Sequence, residues 1–136
     1  MGFLIDTNVL SELRRQSRCQ PSVSTWFAST SPDDLYVSVI VAGEIRRGIE
    51  LLRRRDPVAA RQLEDWLSRL QAALGTRLLP VTSEITDCWG RLGIPDAVPV
   101  ADGLIAATAL VHDLTLVTRN TRDVARTGVR LFDPFA

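Results

Sequence analysis

Short apolar runs alternate with longer stretches of helical periodicity along this chain. That alternation constrains the fold more than any other feature. Strand-like runs fall at Phe3–Asp6, Tyr36–Ser38, Arg77–Val81, Thr115–Thr118 and Arg130–Phe132. Helical patterns occupy Thr7–Arg15, Ser22–Ser29, Val39–Arg55, Pro57–Leu74, Thr82 to about Leu92, Val100–His112 and Arg122–Arg126. Short apolar strands separated by helices imply a parallel sheet buried on both faces. The expected architecture is therefore α/β: three α/β/α layers around a central, mostly parallel five-stranded sheet. A length of 136 residues suits one such domain spanning residues 1–136.

Local signals support these boundaries. Val41, Ile45, Ile49 and Leu52 form one apolar stripe on the helix from Val39. Pro57 sits in the first turn of the next helix, and Gly75 follows its end. Thr82 is placed to cap the helix after it. Asp33–Leu35 reads as a turn, and Gly93–Pro99, with two prolines, as a loop.

Composition removes several kinds of chemistry. The sixteen basic residues are all arginine and balance sixteen acids, for a net charge of zero. Without lysine there is no Schiff-base enzyme and no Walker A phosphate loop. The single histidine, His112, and the two cysteines, Cys19 and Cys88, are too few for a four-ligand zinc site. A ribonuclease working through two histidines is excluded as well. His112 reads as structural or surface. Two unrelated cysteines suggest a reducing compartment. The opening apolar run is too short for a signal peptide or a membrane span, so a cytoplasmic protein without membrane association is expected. The all-arginine bias reads as codon usage in a GC-rich genome.

Acids cluster where a parallel sheet would bind ligands, beyond the carboxyl ends of its strands. Asp6 closes the first strand, and Glu44 lies early in the helix after the second. Asp102 stands in the first turn of the helix before the fourth strand, and Thr118, Asn120 and Asp123 follow that strand. Each acid has a structural alternative. Asp6 can cap the helix that follows it, Glu44 can pair with Arg47 or Arg14, Asp102 suits a helix dipole, and Asp123 can pair with Arg126. Together, near-buried Asp6 and Asp102 would be expensive without a counter-charge. Carboxylate oxygens without a His/Cys cluster select Mg²⁺ or Mn²⁺. Those ions point to phosphoryl chemistry with metal-activated water.

Three segments carry a specific resemblance: Leu4–Glu12 (LIDTNVLSE), Ser38–Ile49 (SVIVAGEIRRGI) and Val100–Phe135. In order and spacing they resemble the PIN-domain ribonucleases, most closely the VapC/FitB-type toxins of toxin–antitoxin pairs. The resemblance implies a Mg²⁺- or Mn²⁺-dependent endoribonuclease in which Asp6, Glu44 and Asp102 match three family acids. The fourth position falls to Asn120 or Asp123, and Val124 stands where the family usually has an aromatic. Thr7, Asn8 and Thr118 match polar positions lining the family's site. Asp6 and Asp102 are expected as direct metal ligands and Glu44 as a ligand through water. Asp123 and Asn120 would hold a second ion or its waters. Water as nucleophile would leave 5′-phosphate and 3′-hydroxyl ends.

The resemblance also implies an RNA substrate, a VapB-like antitoxin that wraps the toxin and holds it inactive, a homodimer, and a larger assembly with the antitoxin. Arg119 and Arg122 flank the acids and are the best substrate contacts. Arg14, Arg15, Arg18, Arg46, Arg47 and Arg53–Arg55 either hold RNA or form a solvated face, with Glu50 and Arg54 a favourable i,i+4 pair. The Trp26/Phe27 segment and the helices over Val39–Leu74 are candidate docking surfaces. Two other readings stand beside this one. An aspartyl phosphatase would need D-x-D and a lysine, and Asp6-Thr7-Asn8 offers neither. A catalytically silent PIN-like RNA- or protein-binding module would not need the full set of acids.

Overall fold

The structure, a computed structural model, describes residues 1–136. Its strands are β1 (Phe3–Ile5), β2 (Leu35–Ser38), β3 (Leu78–Leu79), β4 (Thr115–Val117) and β5 (Leu131–Phe132). They form one sheet in the order β3-β2-β1-β4-β5 with every pairing parallel. Residues Leu116 and Val117 of β4 are both buried, as is Thr115. Since successive side chains point to opposite faces, both faces of the sheet are covered, as the apolar runs predict. Strand order reverses between β1 and β4. That is the crevice where open parallel sheets place their ligands.

The third strand is shorter than the predicted Arg77–Val81. Gly75–Arg77 instead forms a 3₁₀ turn after the Gly75 C-cap (φ +54°), and Pro80, just past the strand, has no N–H to donate to a ladder. The seven helices are α1 (Thr7–Leu13), α2 (Pro21–Ala28), α3 (Val39–Arg53), α4 (Pro57–Leu74), α5 (Ser83–Arg91), α6 (Val100–Val111) and α7 (Thr121–Val124). Thr82 caps α5 as expected, accepting from the Ile85 N–H, and Ser38 and Asp56 likewise accept from Ile40 and Ala59 at the starts of α3 and α4. The predicted Arg122–Arg126 helix divides into α7 and a 3₁₀ turn, Ala125–Thr127, which ends at Gly128 in the left-handed region.

The main core joins β1 and β4 to the apolar face of α6, through Leu4, Ile5, Leu116, Val117, Ile105, Ala106 and Ala109. Gly103 and Ile105–Ala109 are all buried, so α6 is held deep and its first turn is delivered to the sheet edge. A second cluster, Ala42, Ile49, Ala60 and Leu67, zips α3 to α4. Over that seam Glu50 and Glu64 bind Arg46 and Arg53. Arg46 and Arg53 are seven residues apart on one stripe of α3, and Glu64 of α4 faces that stripe. Glu50 therefore shares these two arginines, and the expected pairing with Arg54 is not made. No helix is long and apolar enough to cross a membrane.

Candidate active site at the carboxyl edge of the sheet

The site is built outward from the ends of β1 and β4. The Asp6 N–H bonds to Val117 O at 3.0 Å, so Asp6 is the first residue beyond the ladder that joins those strands. It also caps α1, with the Thr7 N–H donating to Asp6 Oδ1 at 2.8 Å. The capping alternative and the site role thus coexist, since Oδ2 faces away from the cap. Thr118, the corresponding residue after β4, is fully buried, and its hydroxyl donates to Asp6 Oδ2 at 2.8 Å.

That hydroxyl is saturated. It accepts from Asn8 Nδ2 at 3.3 Å and from the Asn120 N–H at 3.0 Å, which uses one proton and two lone pairs. Asn8 Oδ1 in turn accepts the Arg119 N–H at 3.1 Å. On the other flank the Thr7 hydroxyl donates to Glu44 Oε1 at 2.7 Å. Asp6, Thr7, Asn8, Glu44, Thr118 and the Arg119–Asn120 backbone are therefore one hydrogen-bonded unit drawn from β1, α1, α3 and β4.

Asp102 completes the cluster from the first turn of α6. Burial, then the negative charges of Asp6, Glu44 and Asp123, push its carboxyl above the ordinary range. Asp6, Glu44 and Asp123 are therefore each within electrostatic reach of Asp102. None of them has an arginine partner among the ion pairs of the chain. The pairings weighed for Glu44 with Arg47 or Arg14, and for Asp123 with Arg126, are not made.

The expectation that Asp6 and Asp102 are near-buried needs correction. Both are only half-buried, and Glu44 and Asp123 are exposed, because the cluster opens on the edge of the sheet. No three acidic, histidine or cysteine side chains stand close enough together to hold a metal ion as they are placed, so an ion would have to draw the carboxylates in. An all-oxygen, unneutralised cluster of this kind suits a hard cation that keeps several of its waters.

The remaining predicted residues lie around this unit. Asn120 precedes α7 and makes no side-chain cap. Arg119 lies with its guanidinium 4.5 Å from the centre of the Phe135 ring. Arg122 is exposed and makes no ion pair. His112 caps the end of α6 and is exposed. Reading the sequence missed one supporting feature. A Cβ on Gly103 would stand 2.9 Å from the Trp89 ring, so α5 packs flush against α6 directly behind Asp102. The signal was a glycine inside an otherwise apolar helix.

Comparison with known proteins agrees with this fold. The PIN-domain signature spans residues 3–129. Toxin FitB of Neisseria gonorrhoeae is 33% identical, with 98% of each chain aligned. The VapC ribonuclease Y4jK of Sinorhizobium fredii is 28% identical over 98% of this chain and 97% of its own. The crystal structure of FitAcB from Neisseria gonorrhoeae superposes with a TM-score of 0.88 at 30% identity, covering 98% of each chain. A toxin–antitoxin complex from Klebsiella pneumoniae, at 24% identity and a TM-score of 0.70, shares the fold. The chain belongs to the PIN-domain family and aligns with nearly the whole length of these FitB- and VapC-type relatives.

Proposed function

We propose that the chain is the toxin of a toxin–antitoxin pair, an endoribonuclease that hydrolyses RNA phosphodiesters with Mg²⁺ or Mn²⁺. The observation that carries this reading is the convergence of Asp6, Glu44 and Asp123 on Asp102, whose carboxyl is raised by them and by burial, without one arginine to neutralise the group. Asp6 and Asp102 would hold the ion directly. Glu44, steered by Thr7, would act through water, and Asp123 with Asn120 would hold the outer waters or a second ion. Bound there, the ion would supply positive charge to the phosphate and lower the pKa of attacking water. The chain's own part is orientation. Thr118 and the Thr7 N–H fix both oxygens of Asp6, and the Thr7 hydroxyl fixes one oxygen of Glu44. Arg119 and Arg122 stand at the edge of the cluster to meet neighbouring phosphates.

A VapB-like antitoxin is the partner this family membership calls for. Its inhibition is explained most simply by a cation delivered to the open carboxylates. The homodimer, its larger assembly with the antitoxin and the cytoplasmic location belong to the same reading. The test is cleavage of RNA by partner-free protein with Mn²⁺, compared with Asp6→Asn and Asp102→Asn. Metal-dependent cleavage leaving 5′-phosphates, lost in both variants, is expected. Equal rates in the variants would sink the mechanism. Ion binding without cleavage of any RNA would leave a binding module.

A further inference from the structure

Three hollows meet beside the site, and Arg14 and Trp66 are the two residues that line all of them. One, of about 360 Å³, begins at Thr7 and Glu44, runs along α3 to Leu52 and ends at Arg55, two residues past the helix. At the helical rise of 1.5 Å per residue the helical part of that path is roughly 12 Å long, more than one nucleotide. The next, of about 290 Å³, continues between Arg14 and the face of α4 that carries Gln62, Trp66 and Arg69. The third, of about 460 Å³, is mainly apolar and lies under α1 and α2.

Charge separates the first two hollows from their surroundings. Their only acid is Glu44, at the catalytic end. Arg14, Arg55 and Arg69 line them, and none of the three is in an ion pair. By contrast, Arg46 and Arg53 on the adjoining stripe of α3 are held by Glu50 and Glu64. Free guanidiniums in a cleft that starts at a phosphodiester-cleaving cluster are complementary to a polyanion. The half-buried Trp66 gives the floor an aromatic surface of the kind on which single-stranded bases stack.

The geometry points to a substrate track: the cleft running from Glu44 past Arg14 and Arg55 to Arg69 binds the single-stranded RNA that flanks the scissile phosphate. It rests on the ribonuclease reading, and names where that substrate lies. Arg14, at the junction of the hollows, contacts the phosphate nearest the acids. Arg55 and Arg69 contact phosphates farther out.

The test measures binding and cleavage separately. A fluorescein-labelled single-stranded RNA of twelve nucleotides is titrated in EDTA, across a range of salt, with the full-length protein. Arg14→Ala/Arg55→Ala/Arg69→Ala is expected to bind about tenfold or more weakly. Its log K against log salt should be shallower by about 2, at roughly 0.7 per lost phosphate contact. The triple lysine variant should retain most of the affinity, and Arg61→Ala, on α4 but outside the cleft, should match the parent. Thermal melts of each variant separate lost folding from lost contacts. Unchanged RNA binding by the triple alanine variant, or an equal loss in Arg61→Ala, would overturn the track. So would retained RNA affinity with lost capture of an antitoxin C-terminal peptide, which would make the cleft a protein dock. Cleft-dependent RNA binding without any Mn²⁺-dependent cleavage would leave the track standing and bring down the nuclease reading instead.

Discussion

Thr118 and Asp6 are 112 residues apart in sequence, yet the Thr118 hydroxyl donates to Asp6 Oδ2 at 2.8 Å. The bond ties the end of β4 to the end of β1, and with the Thr7 N–H on Oδ1 it leaves the Asp6 carboxylate no freedom to rotate. A rigid carboxylate at the strand-order reversal is what the proposed role of Asp6 would require, because small displacements of a reacting group cost rate steeply.

Thr118→Val keeps the shape of that side chain and removes all three hydrogen bonds. The Asn120 N–H, on an exposed residue, turns to water, so the cost is that of the lost hydrogen bonds, about 1–3 kcal/mol together. We expect a loss of stability in that range by urea denaturation. Single-turnover RNA cleavage should fall by about tenfold or more as Asp6 becomes mobile. Thr118→Ser keeps the hydroxyl and should recover most of the rate. Equal rates in the valine and serine variants would show that Thr118 only fills space.

Gly103→Ala probes the support behind Asp102. The added Cβ would stand 2.9 Å from Trp89 Cδ1, 3.0 Å from Trp89 Nε1 and 3.1 Å from Val98 Cγ2. The indole moves only as a rigid body, so relief of the contact is expected to displace the start of α6, and Asp102 with it, against α5. Overpacking of this kind costs about 1–3 kcal/mol. The expected signature is lost cleavage together with weaker Mn²⁺ protection in a thermal melt. Trp89→Leu in the same chain should restore part of both. A Gly103→Ala protein with parental activity would mean that α5 does not set the position of Asp102.

These two predictions also mark how far the sequence could be read. The five short apolar runs located every strand, since a strand buried on both faces has a continuous apolar signature. That Asp6, Glu44 and Asp123 gather around Asp102 was legible because strand ends and helix starts in a parallel fold converge on one edge. Contacts set by side-chain direction were not legible. The Thr7–Glu44 bond and the Trp89–Gly103 contact join elements whose mutual placement has no local code. The Glu50–Arg54 pairing failed for the same reason: an i,i+4 rule knows nothing of Glu64 on the next helix. Half-burial of Asp6 and Asp102 also escaped, because apolar neighbours in sequence say little about the openness of a sheet edge.

Arg119 and Arg122 are neighbours in sequence with different expected effects. The Arg119 guanidinium stacks on Phe135 and its backbone is held by Asn8, so it docks the C-terminal segment against the site. Phe135→Ala removes the stack and exposes that segment, and should cost about 0.5–1 kcal/mol. Arg122 carries no such tie. Arg122→Ala should therefore leave the melting curve unchanged and weaken RNA binding by a few-fold. A stability loss in Arg122→Ala, or none in Phe135→Ala, would reverse this division of roles.

Asp102 links the charge of the site to the stability of the fold. Its carboxyl is raised, by burial first and then by Asp6, Glu44 and Asp123. A carboxyl raised on folding is held less well ionised than in the unfolded chain. The metal-free protein is therefore destabilised by its ionisation, progressively as pH rises from the ordinary aspartate value of about 3.9 to the raised value, and fully above it. Asp102→Asn removes that term. In EDTA near neutral pH the variant should melt higher than the parent by a few degrees, and the gap should close as pH falls toward about 4. Adding Mn²⁺ should invert the order. A ligand that binds only the folded state stabilises it in proportion to RT ln(1 + [L]/Kd), so the parent should gain steadily with concentration while the variant gains little. Activity and metal-free stability are thus opposed at one residue. A variant that melts below the parent in EDTA would show that Asp102 has a stabilising partner in the folded protein, and that the four acids do not repel one another at neutral pH.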